Sequence, residues 1–425
     1  MNTSVANLAH PTLEGLSQTR LYYLVRDRLG QLLANPKLLR AAAFGFRSIL
    51  PVATFADRVL VTRYPDVLEV LDNSAHFHVA EIYGAAMART SGDFILGVDD
   101  AERHGRERSF LQSAVERSDL ARVRDLVAGR AAELLEAAAP SGAIDVASGY
   151  AHEIALTIVA DYFGVPGPDR ASMSRWMRTI FWDIFLNLTN LESVSYAALR
   201  SAHELAAYLD SWAAQTRERL SPKPSSADTF FERLLRKQAE QGHDHDFLRR
   251  NIGGVIIGAV DTVSKAIVHA VEQLLRRPLQ LAEARRAALA GDDDQVAAYS
   301  FEALRFNPHN PIILRHCARD FRLARGTKRE HLIRGGSTVY ASTLSAMFDA
   351  TVLEAPHEFR ADRPWNHYVH FGQGMHRCFG ERFNRVSIPQ AVKALLLRPG
   401  LNLAHGHGHR PVYEGPFPVR FPVRI

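Results

Sequence analysis

One cysteine near the end of the chain lies in a glycine-rich loop, directly before a stretch of helical character. The loop reads Phe-Gly-Gln-Gly-Met-His-Arg-Cys-Phe-Gly from Phe371 to Gly380, and the helical stretch begins at Glu381. A cysteine at a helix N-terminus has its thiolate favoured by the helix dipole and by nearby N–H groups. Glycines let the backbone approach something flat and bulky. Cys378 is therefore a candidate nucleophile or metal ligand, although a buried structural cysteine would fit the same loop.

An acid and an alcohol stand side by side, as Asp261 and Thr262, inside a long apolar segment. The small residues Gly258 and Ala259 precede them by about one helical turn. A carboxyl group beside a hydroxyl can carry a proton into a buried site during general acid–base chemistry. The other interpretation is a polar pair that merely interrupts an apolar helix.

Two further sets of residues carry a weaker chemical signal. Glu302 and Arg305 are three residues apart in a helical pattern, and such pairs also form on any helix surface, where they contribute little to stability. His405, His407 and His409 alternate with glycine near the C-terminus and could bind a metal at strand spacing. A solvated turn is the alternative interpretation of these histidines.

The composition excludes several classes of protein. The 425 residues are 47% apolar and 23% charged, as in soluble globular proteins rather than disordered or fibrous ones. The net charge of +5 is spread along the chain and does not indicate nucleic-acid binding. Cys317 and Cys378 are the only cysteines, which excludes a disulfide scaffold and favours a reducing, cytoplasmic setting. Cys317 is expected to be an inert core residue.

The chain carries no recognisable targeting or membrane segment. Its first residues are polar as far as Arg20, without the apolar core of a signal peptide. No window of about 20 apolar residues is found, so we expect no membrane span.

Helical patterns dominate the chain and are expected to position these residues. Apolar residues recur at helical spacing over 101–135, 151–162, 172–185, 191–220, 229–241, 247–276 and 294–306. The apolar centre of 247–276 predicts a helix that crosses the core. Short strands are predicted at 58–62, 312–317, 320–324, 337–341 and 412–425. The Pro- and Ser-rich segment 221–226 is predicted to be a surface loop, so the fold is mainly α with a minor β part.

The pattern Phe-Gly-x-Gly-x-His-x-Cys-x-Gly resembles the haem-binding loop of the cytochrome P450 family, and every fixed position is present. The resemblance extends over most of the chain in the family's order. It implies a single cytochrome P450 domain over residues 1–425, with haem b between the long central helix and the cysteine loop. Cys378 would be the axial ligand of the haem iron, and Phe371, Gly372, His376 and Gly380 would contact the cofactor.

Other motifs extend the resemblance. The segment from Gly258 to Thr262 is similar to the family's oxygen-activation motif, in which Thr262 would hydrogen-bond O2 and Asp261 would deliver protons. Ala259 would be the small residue beside the haem. The Glu302-x-x-Arg305 helix resembles the family's Glu-x-x-Arg motif, and Arg363 would complete a structural ion network with it.

The haem propionates would be held by cations. The residues that resemble the family's propionate ligands are His104, Arg108, Arg315 and His376. The helix that carries His104 lacks the family's usual prolines, so we expect Asp99 or Asp100 to cap it. Ala346-Met347-Phe348-Asp349 also departs from the common Ala-Asn-Arg-Asp, which leaves the local packing open.

The resemblance implies a monooxygenase that inserts one oxygen atom from O2 into a small hydrophobic substrate. Because no flavin or iron–sulfur motif is present, electrons would come from a ferredoxin- or flavodoxin-type partner docked near Arg377, Arg382 and Lys393. The segment around Trp176 and Phe185 would contribute to the substrate pocket. The other implied pocket residues are Ile82, Tyr83, Phe94, Leu96, Phe181, Val255, Ile312, Ile313 and Phe417.

Two alternative functions remain open from the sequence. One is a peroxide-using haem-thiolate enzyme, either a peroxygenase or a hydroperoxide isomerase. The other is a non-catalytic haem protein that senses or carries a gas. The pairing of Asp261 with Thr262 argues against both, because a proton relay is needed for O2 activation and not for either alternative.

Overall fold

A long helix, His245–Leu275, runs through the centre of a helix-rich structure. The computed structural model describes residues 36–404 and 410–425. The helices in chain order are α1 Pro36–Ile49, α2 Tyr64–Asp72, α3 Ala80–Arg89, α4 Ala101–Ser113, α5 Asp119–Ala138, α6 His152–Thr157, α7 Arg170–Phe185, α8 Glu192–Arg219, α9 Phe230–Gln241, α10 His245–Leu275, α11 Pro278–Ala290, α12 Asp293–Phe306, α13 Thr343–Ala346 and α14 Glu381–Leu396.

The strands form small sheets at the edge of the helical part. They are β1 Val52–Phe55, β2 Arg58–Val61, β3 Phe77–His78, β4 Ala143–Asp145, β5 Ile313–Cys317, β6 Phe321–Leu323, β7 His331–Ile333, β8 Thr338–Ala341, β9 Asn402–Leu403, β10 Val412–Glu414, β11 Phe417–Arg420 and β12 Pro422–Arg424. The largest sheet has the order β1-β2-β8-β5-β3, with β2 parallel to β8 and the other pairs antiparallel. This sheet carries Arg315, which is 4% exposed, on β5.

Helix α10 is apolar on almost every side because it packs against neighbours on almost every side. It contacts α6, α7, α12 and α14. Its start is fixed by Asp244, whose carboxylate accepts a hydrogen bond from the Phe247 N–H at 2.7 Å. The part of the helix that carries Asp261 and Thr262 is therefore held rigidly inside the core.

The predicted fold class and most of the predicted elements are confirmed. One helix prediction was wrong, because 101–135 forms two helices separated at residues 114–118 rather than one. No glycine or proline marks this break in the sequence. The Asp119 carboxylate accepts hydrogen bonds from the Glu116 N–H, the Tyr162 hydroxyl and Arg233, and these contacts hold the start of α5. Helices α1, α2, α3, α11 and α13 were not predicted.

The expectation that no segment is apolar enough to span a membrane needs one correction. Among the residues that the structure describes, α10 has the length and apolarity of a membrane span. However, 78% of its most apolar window is buried within the protein, as expected for a core helix. The histidines at 405, 407 and 409 lie outside the described residues.

Candidate functional site

Cys378 lies at the end of the glycine-rich loop, immediately before α14. Its N–H donates to the Phe371 carbonyl at 2.9 Å, which closes the loop. Burial raises the pKa of the thiol, and the backbone N–H groups of Gly380 and Glu381 oppose this effect only in part. The residue nevertheless keeps partial accessibility, so it borders an internal space. A thiol in this position becomes a stable thiolate when a metal ion coordinates it, because the ion supplies the missing positive charge.

The loop needs glycine at two positions with left-handed backbone. Gly372 and Gly374 have φ angles of 69° and 71°. At Gly374 a Cβ atom would also lie 2.6 Å from the Leu71 carbonyl oxygen. Gly380 has an ordinary φ of −78°, and a Cβ there would lie 3.3 Å from the Asn384 side-chain amide, which is a tight contact.

One face of α10 opens onto the internal space. Val255, Gly258, Ala259 and Thr262 are partly accessible, whereas their neighbours along this helix are buried. Their spacing of three and four residues places them on one face. At Gly258 no heavy atom would lie within 4 Å of an added Cβ. The Thr262 hydroxyl donates to the Gly258 carbonyl at 2.6 Å, so its proton is engaged within the helix.

Asp261 is turned away from that face and is held by Arg178 of α7. The Arg178 Nη2 atom lies 2.7 Å from one Asp261 carboxylate oxygen, and Nε lies 2.9 Å from both. The Asp261 side chain is 1% exposed and that of Arg178 is 25% exposed. The guanidinium therefore connects the buried carboxylate with the outside of the protein.

Basic side chains from three parts of the chain are buried on another side of this space. The His104 and His376 rings meet edge to face at 5.2 Å, and Asp99 accepts a hydrogen bond from His376 Nε2 at 3.2 Å. Asp99 also caps the start of α3, through the Val79 and Ala80 N–H groups. Asp100, one of the two residues that were expected to cap the helix carrying His104, does cap α4: its carboxylate accepts a hydrogen bond from the Arg103 N–H at 2.6 Å.

These bases lack enough acidic partners within the protein. Among described residues, neither Arg108 nor Arg315 forms an ion pair, although Arg315 is 4% exposed. His104 Nε2 and His376 Nδ1 are buried without a hydrogen-bond partner. Burial, together with the charges of His376 and Arg108, lowers the pKa of His104 to about 4. Two carboxylates of a bound cofactor would satisfy these atoms and offset the surplus positive charge.

Glu302, Arg305 and Arg363 come together as an ion network. Arg305 Nη2 lies 2.7 Å from Glu302 Oε1, both side chains are fully buried, and Arg363 Nε lies 3.4 Å from the same oxygen. The Arg360 N–H and the Tyr368 hydroxyl also donate to the Glu302 carboxylate. Phe348, where the family commonly has arginine, packs its ring 4.5 Å from the Arg305 guanidinium. The network fastens α12 to the segment that leads into the cysteine loop.

A continuous row of aromatic rings forms one wall of the expected substrate pocket. The ring of Tyr83 lies 5.2 Å from Phe185, Phe185 lies 4.6 Å from Phe181, and Phe181 lies 5.6 Å from Phe417. Phe94 packs directly on Gly254 of α10, where a Cβ would come within 2.2 Å of its ring. The structure thus brings together aromatic side chains from α3, α7 and β11 that the sequence places far apart.

The remaining predicted pocket residues are distributed unevenly. Ile82, Leu96 and Val255 are partly accessible, and Ile312 is 36% exposed. Ile313 instead contacts the cysteine loop, with its Cδ1 3.5 Å from the Cβ position of Gly372. The Trp176 Nε1 donates to Glu204 of α8 at 2.7 Å, and its ring faces Tyr208.

Two of the cations predicted to receive a redox partner are neutralised within the protein. Arg377 Nη2 lies 2.7 Å from Glu381, and Lys393 Nζ lies 2.5 Å from Asp293. Arg382 is exposed and forms no ion pair with any residue of the described ranges. Cys317, as expected, is a buried core residue, and burial raises the pKa of its thiol to about 11.

Comparisons with known proteins agree with this fold. Residues 54–422 match Cytochrome P450. Nocardicin C N-oxygenase of Nocardia uniformis subsp. tsuyamanensis is 28% identical, over 91% of this chain and 93% of its own length. Mycinamicin IV hydroxylase/epoxidase of Micromonospora griseorubida is 26% identical, over 81% of this chain and 83% of its own. The crystal structure of CalO2 superposes with a TM-score of 0.80 at 25% identity, covering 93% of this chain and 96% of that one.

The fold and the buried cysteine loop define a haem-thiolate oxidoreductase. The chain belongs to the cytochrome P450 family, and it is a cytochrome P450 monooxygenase. The unpartnered imidazole nitrogens of His104 and His376, and the lack of an acidic partner for Arg108 and Arg315 among the described residues, fit the charges of the haem-thiolate cofactor that the family implies.

Proposed function

We propose that the Cys378 thiolate is the axial ligand of haem b iron and that the enzyme oxidises a hydrophobic small molecule. The observation that carries this proposal is the position of the Cys378 sulfur, buried before α14 with the Gly380 and Glu381 N–H groups directed towards it. His104, Arg108, Arg315 and His376 would hold the propionates, and Phe371, Gly372 and Gly380 would form the loop beneath the ring. Glu302, Arg305 and Arg363 would keep that loop in place.

When bound, the haem would supply the activation of O2 that the insertion into the substrate needs. The protein contributes a dry pocket, in which Ala259 leaves room for O2 and the row from Tyr83 to Phe417 receives the apolar substrate. Ile82, Phe94, Leu96, Phe181, Val255, Ile312 and Ile313 would complete the surroundings of this pocket.

Protons would reach the pocket through Asp261 and Thr262. The partly exposed Arg178 guanidinium contacts solvent and the Asp261 carboxylate at once, which supports an entry point on α7. Because the Thr262 hydroxyl donates to the Gly258 carbonyl, it must turn from that carbonyl before its proton can move towards O2.

Electrons would come from a ferredoxin- or flavodoxin-type protein that docks beside the cysteine loop. Arg382 is the strongest cation for this contact, since Arg377 and Lys393 are already paired. We also propose a cytoplasmic location and a single domain. The two free cysteines support a reducing compartment.

The test is the spectrum of the reduced protein with carbon monoxide. Wild-type protein should show the red-shifted Soret band of thiolate ligation, and Cys378→Ala should lose it. Cys317→Ala is the matched control and should keep the band. An unchanged spectrum in Cys378→Ala would refute the proposed ligand. Turnover with peroxide, but none with O2 and an electron donor, would instead assign a peroxide-using enzyme.

A further inference from the structure

A lysine lies deep in the core on α10, one turn beyond Thr262. Lys265 is only 8% exposed, and desolvation by the surrounding protein lowers the pKa of its amine to about 8. A side chain that is so deeply placed yet still partly accessible borders an internal space rather than the outer surface. With a pKa near 8, the amine is largely protonated at neutral pH and carries its charge in the interior.

This ammonium has no partner among the residues that the structure describes. Lys265 forms neither an ion pair nor a hydrogen bond there. The nearest candidate acid on its own helix is Asp261, one turn earlier, but Arg178 already occupies both of its carboxylate oxygens. Arg178 also lies 3.6 Å from the exposed carboxylate of Glu414, whereas no acid of the described residues lies within ion-pair distance of Lys265.

Lys265 stands against the aromatic wall of the substrate pocket. Its Nζ lies 5.6 Å from the centre of the Phe417 ring, and the same ring contacts Phe181 at 5.6 Å. The Arg178 guanidinium lies 5.0 Å from that ring centre. A cation over an aromatic ring gains modest stabilisation, which does not replace the solvation lost on burial.

The neighbouring histidines supply no negative charge to the ammonium. His269 Nδ1 donates to the Asn307 carbonyl at 3.0 Å, and its Nε2 accepts from the Tyr413 hydroxyl at 3.2 Å. Burial, and secondarily the charge of Lys265, lowers the pKa of His309 to about 4, so this ring is neutral. An unpaired buried ammonium is costly to a fold, and an anion brought by a ligand would offset that cost.

We propose that Lys265 binds the carboxylate of the substrate, whose apolar body lies along the row formed by Phe181, Phe185 and Phe417. This inference rests on the proposed function, because the aromatic row is the wall of the P450 substrate pocket. An ammonium is a compact charge with three donors, which suits one carboxylate at the end of an otherwise apolar molecule. The substrate class is therefore a hydrophobic carboxylic acid rather than a neutral hydrocarbon.

The experiment measures binding of matched acids and methyl esters to the holoenzyme. Straight-chain carboxylates of six to fourteen carbons and their esters are titrated by isothermal calorimetry, which requires no spectral change at the iron. We expect at least one acid to bind wild-type protein about tenfold or more tightly than its ester. Lys265→Met should abolish this preference, and Lys265→Arg should retain part of it. Lys237→Met, which changes a half-exposed lysine on α9 that pairs with Glu240, should leave it unchanged.

Each outcome decides the inference. Wild-type protein that binds no acid more tightly than its ester overturns it, and so does a preference that survives in Lys265→Met. If Lys265 serves only to pair with Asp261 after a side-chain rotation, Lys265→Met will change acid and ester binding equally. The carbon monoxide spectrum of each protein separates these failures from a failure of the proposed haem ligation.

Discussion

Arg178 of α7 forms an ion pair with Asp261 of α10 and donates hydrogen bonds to both carboxylate oxygens, at N–O distances of 2.7 to 2.9 Å. Replacing Arg178 with methionine would leave a carboxylate that is 1% exposed without its partner. We expect a loss of about 3 kcal/mol in the free energy of unfolding. Adding Asp261→Asn to the same protein should restore most of that loss, because the unpaired charge is then gone. Urea unfolding of the four proteins in this double-mutant cycle measures the coupling.

The contrary result is additivity. If the losses in Arg178→Met and Asp261→Asn simply sum in the double variant, the two side chains do not interact in solution. Arg200→Met is a suitable control, since Arg200 pairs with Glu204 on the exposed side of α8 and is itself 77% exposed. It should change the free energy of unfolding by about 0.5 kcal/mol or less.

Thr262→Val tests the hydroxyl of the proposed relay. Valine keeps the shape of threonine but cannot carry a proton, so O2 consumption should continue while product formation per O2 falls about tenfold or more. The missing oxidising equivalents should appear as peroxide. The comparison is made with a surrogate ferredoxin and its reductase, and a coupling ratio equal to that of wild type would exclude Thr262 from proton delivery.

Glu302→Gln tests the buried ion network. The change leaves the fully buried Arg305 without a counter-charge, so we expect the free energy of unfolding to fall by about 3–5 kcal/mol. Arg322→Met breaks the bridge to Glu330, in which Arg322 is 60% exposed, and should cost about 1 kcal/mol or less. Urea unfolding checks both variants, and similar losses in the two would contradict a structural role for Glu302.

The sequence predicted those parts of the site that depend on local spacing. The loop around Cys378 and the Glu302–Arg305 pair are contiguous or one helical turn apart, so their patterns are readable along the chain. Arg178 was missed because it is 83 residues from Asp261, and only the packing of α7 on α10 joins them. Lys265 was missed because a single lysine in an apolar helix carries no signal until the absence of a partner is seen in three dimensions.

Arg382→Glu tests the docking of the electron donor. Arg382 has no internal partner within the described ranges, so reversing its charge should slow reduction by an acidic ferredoxin severalfold at low salt. Lys393→Glu should have the smaller effect on encounter, because Asp293 already screens that lysine. Stopped-flow reduction at low and high salt gives both rates. Equal rates for Arg382→Glu and wild type at low salt would place the docking site elsewhere.

The buried Lys265 predicts a rise in stability at alkaline pH. Its pKa of about 8 in the folded protein lies below its ordinary value of 10.5, so the unfolded chain binds more protons between these values. The free energy of unfolding of wild type should therefore increase with pH across this window, by about 3 kcal/mol at most, relative to Lys265→Met. Below pH 8 the amine is charged in both the folded and the unfolded state, so its burial lowers the free energy of unfolding by a constant amount. Lys265→Met should therefore be the more stable protein there.

The other groups that face Lys265 are present in both proteins, and the two histidines among them stay neutral over the pH range of the test because burial lowers their pKa values. These groups are Asp261 and His269 on α10, Arg178 on α7 and His309 on the loop after α12. Urea unfolding at intervals from pH 7 to pH 10.5 measures the difference between the two proteins. A difference that stays flat over this range would show that the Lys265 amine titrates as it does in water, and hence that it is not held in the interior.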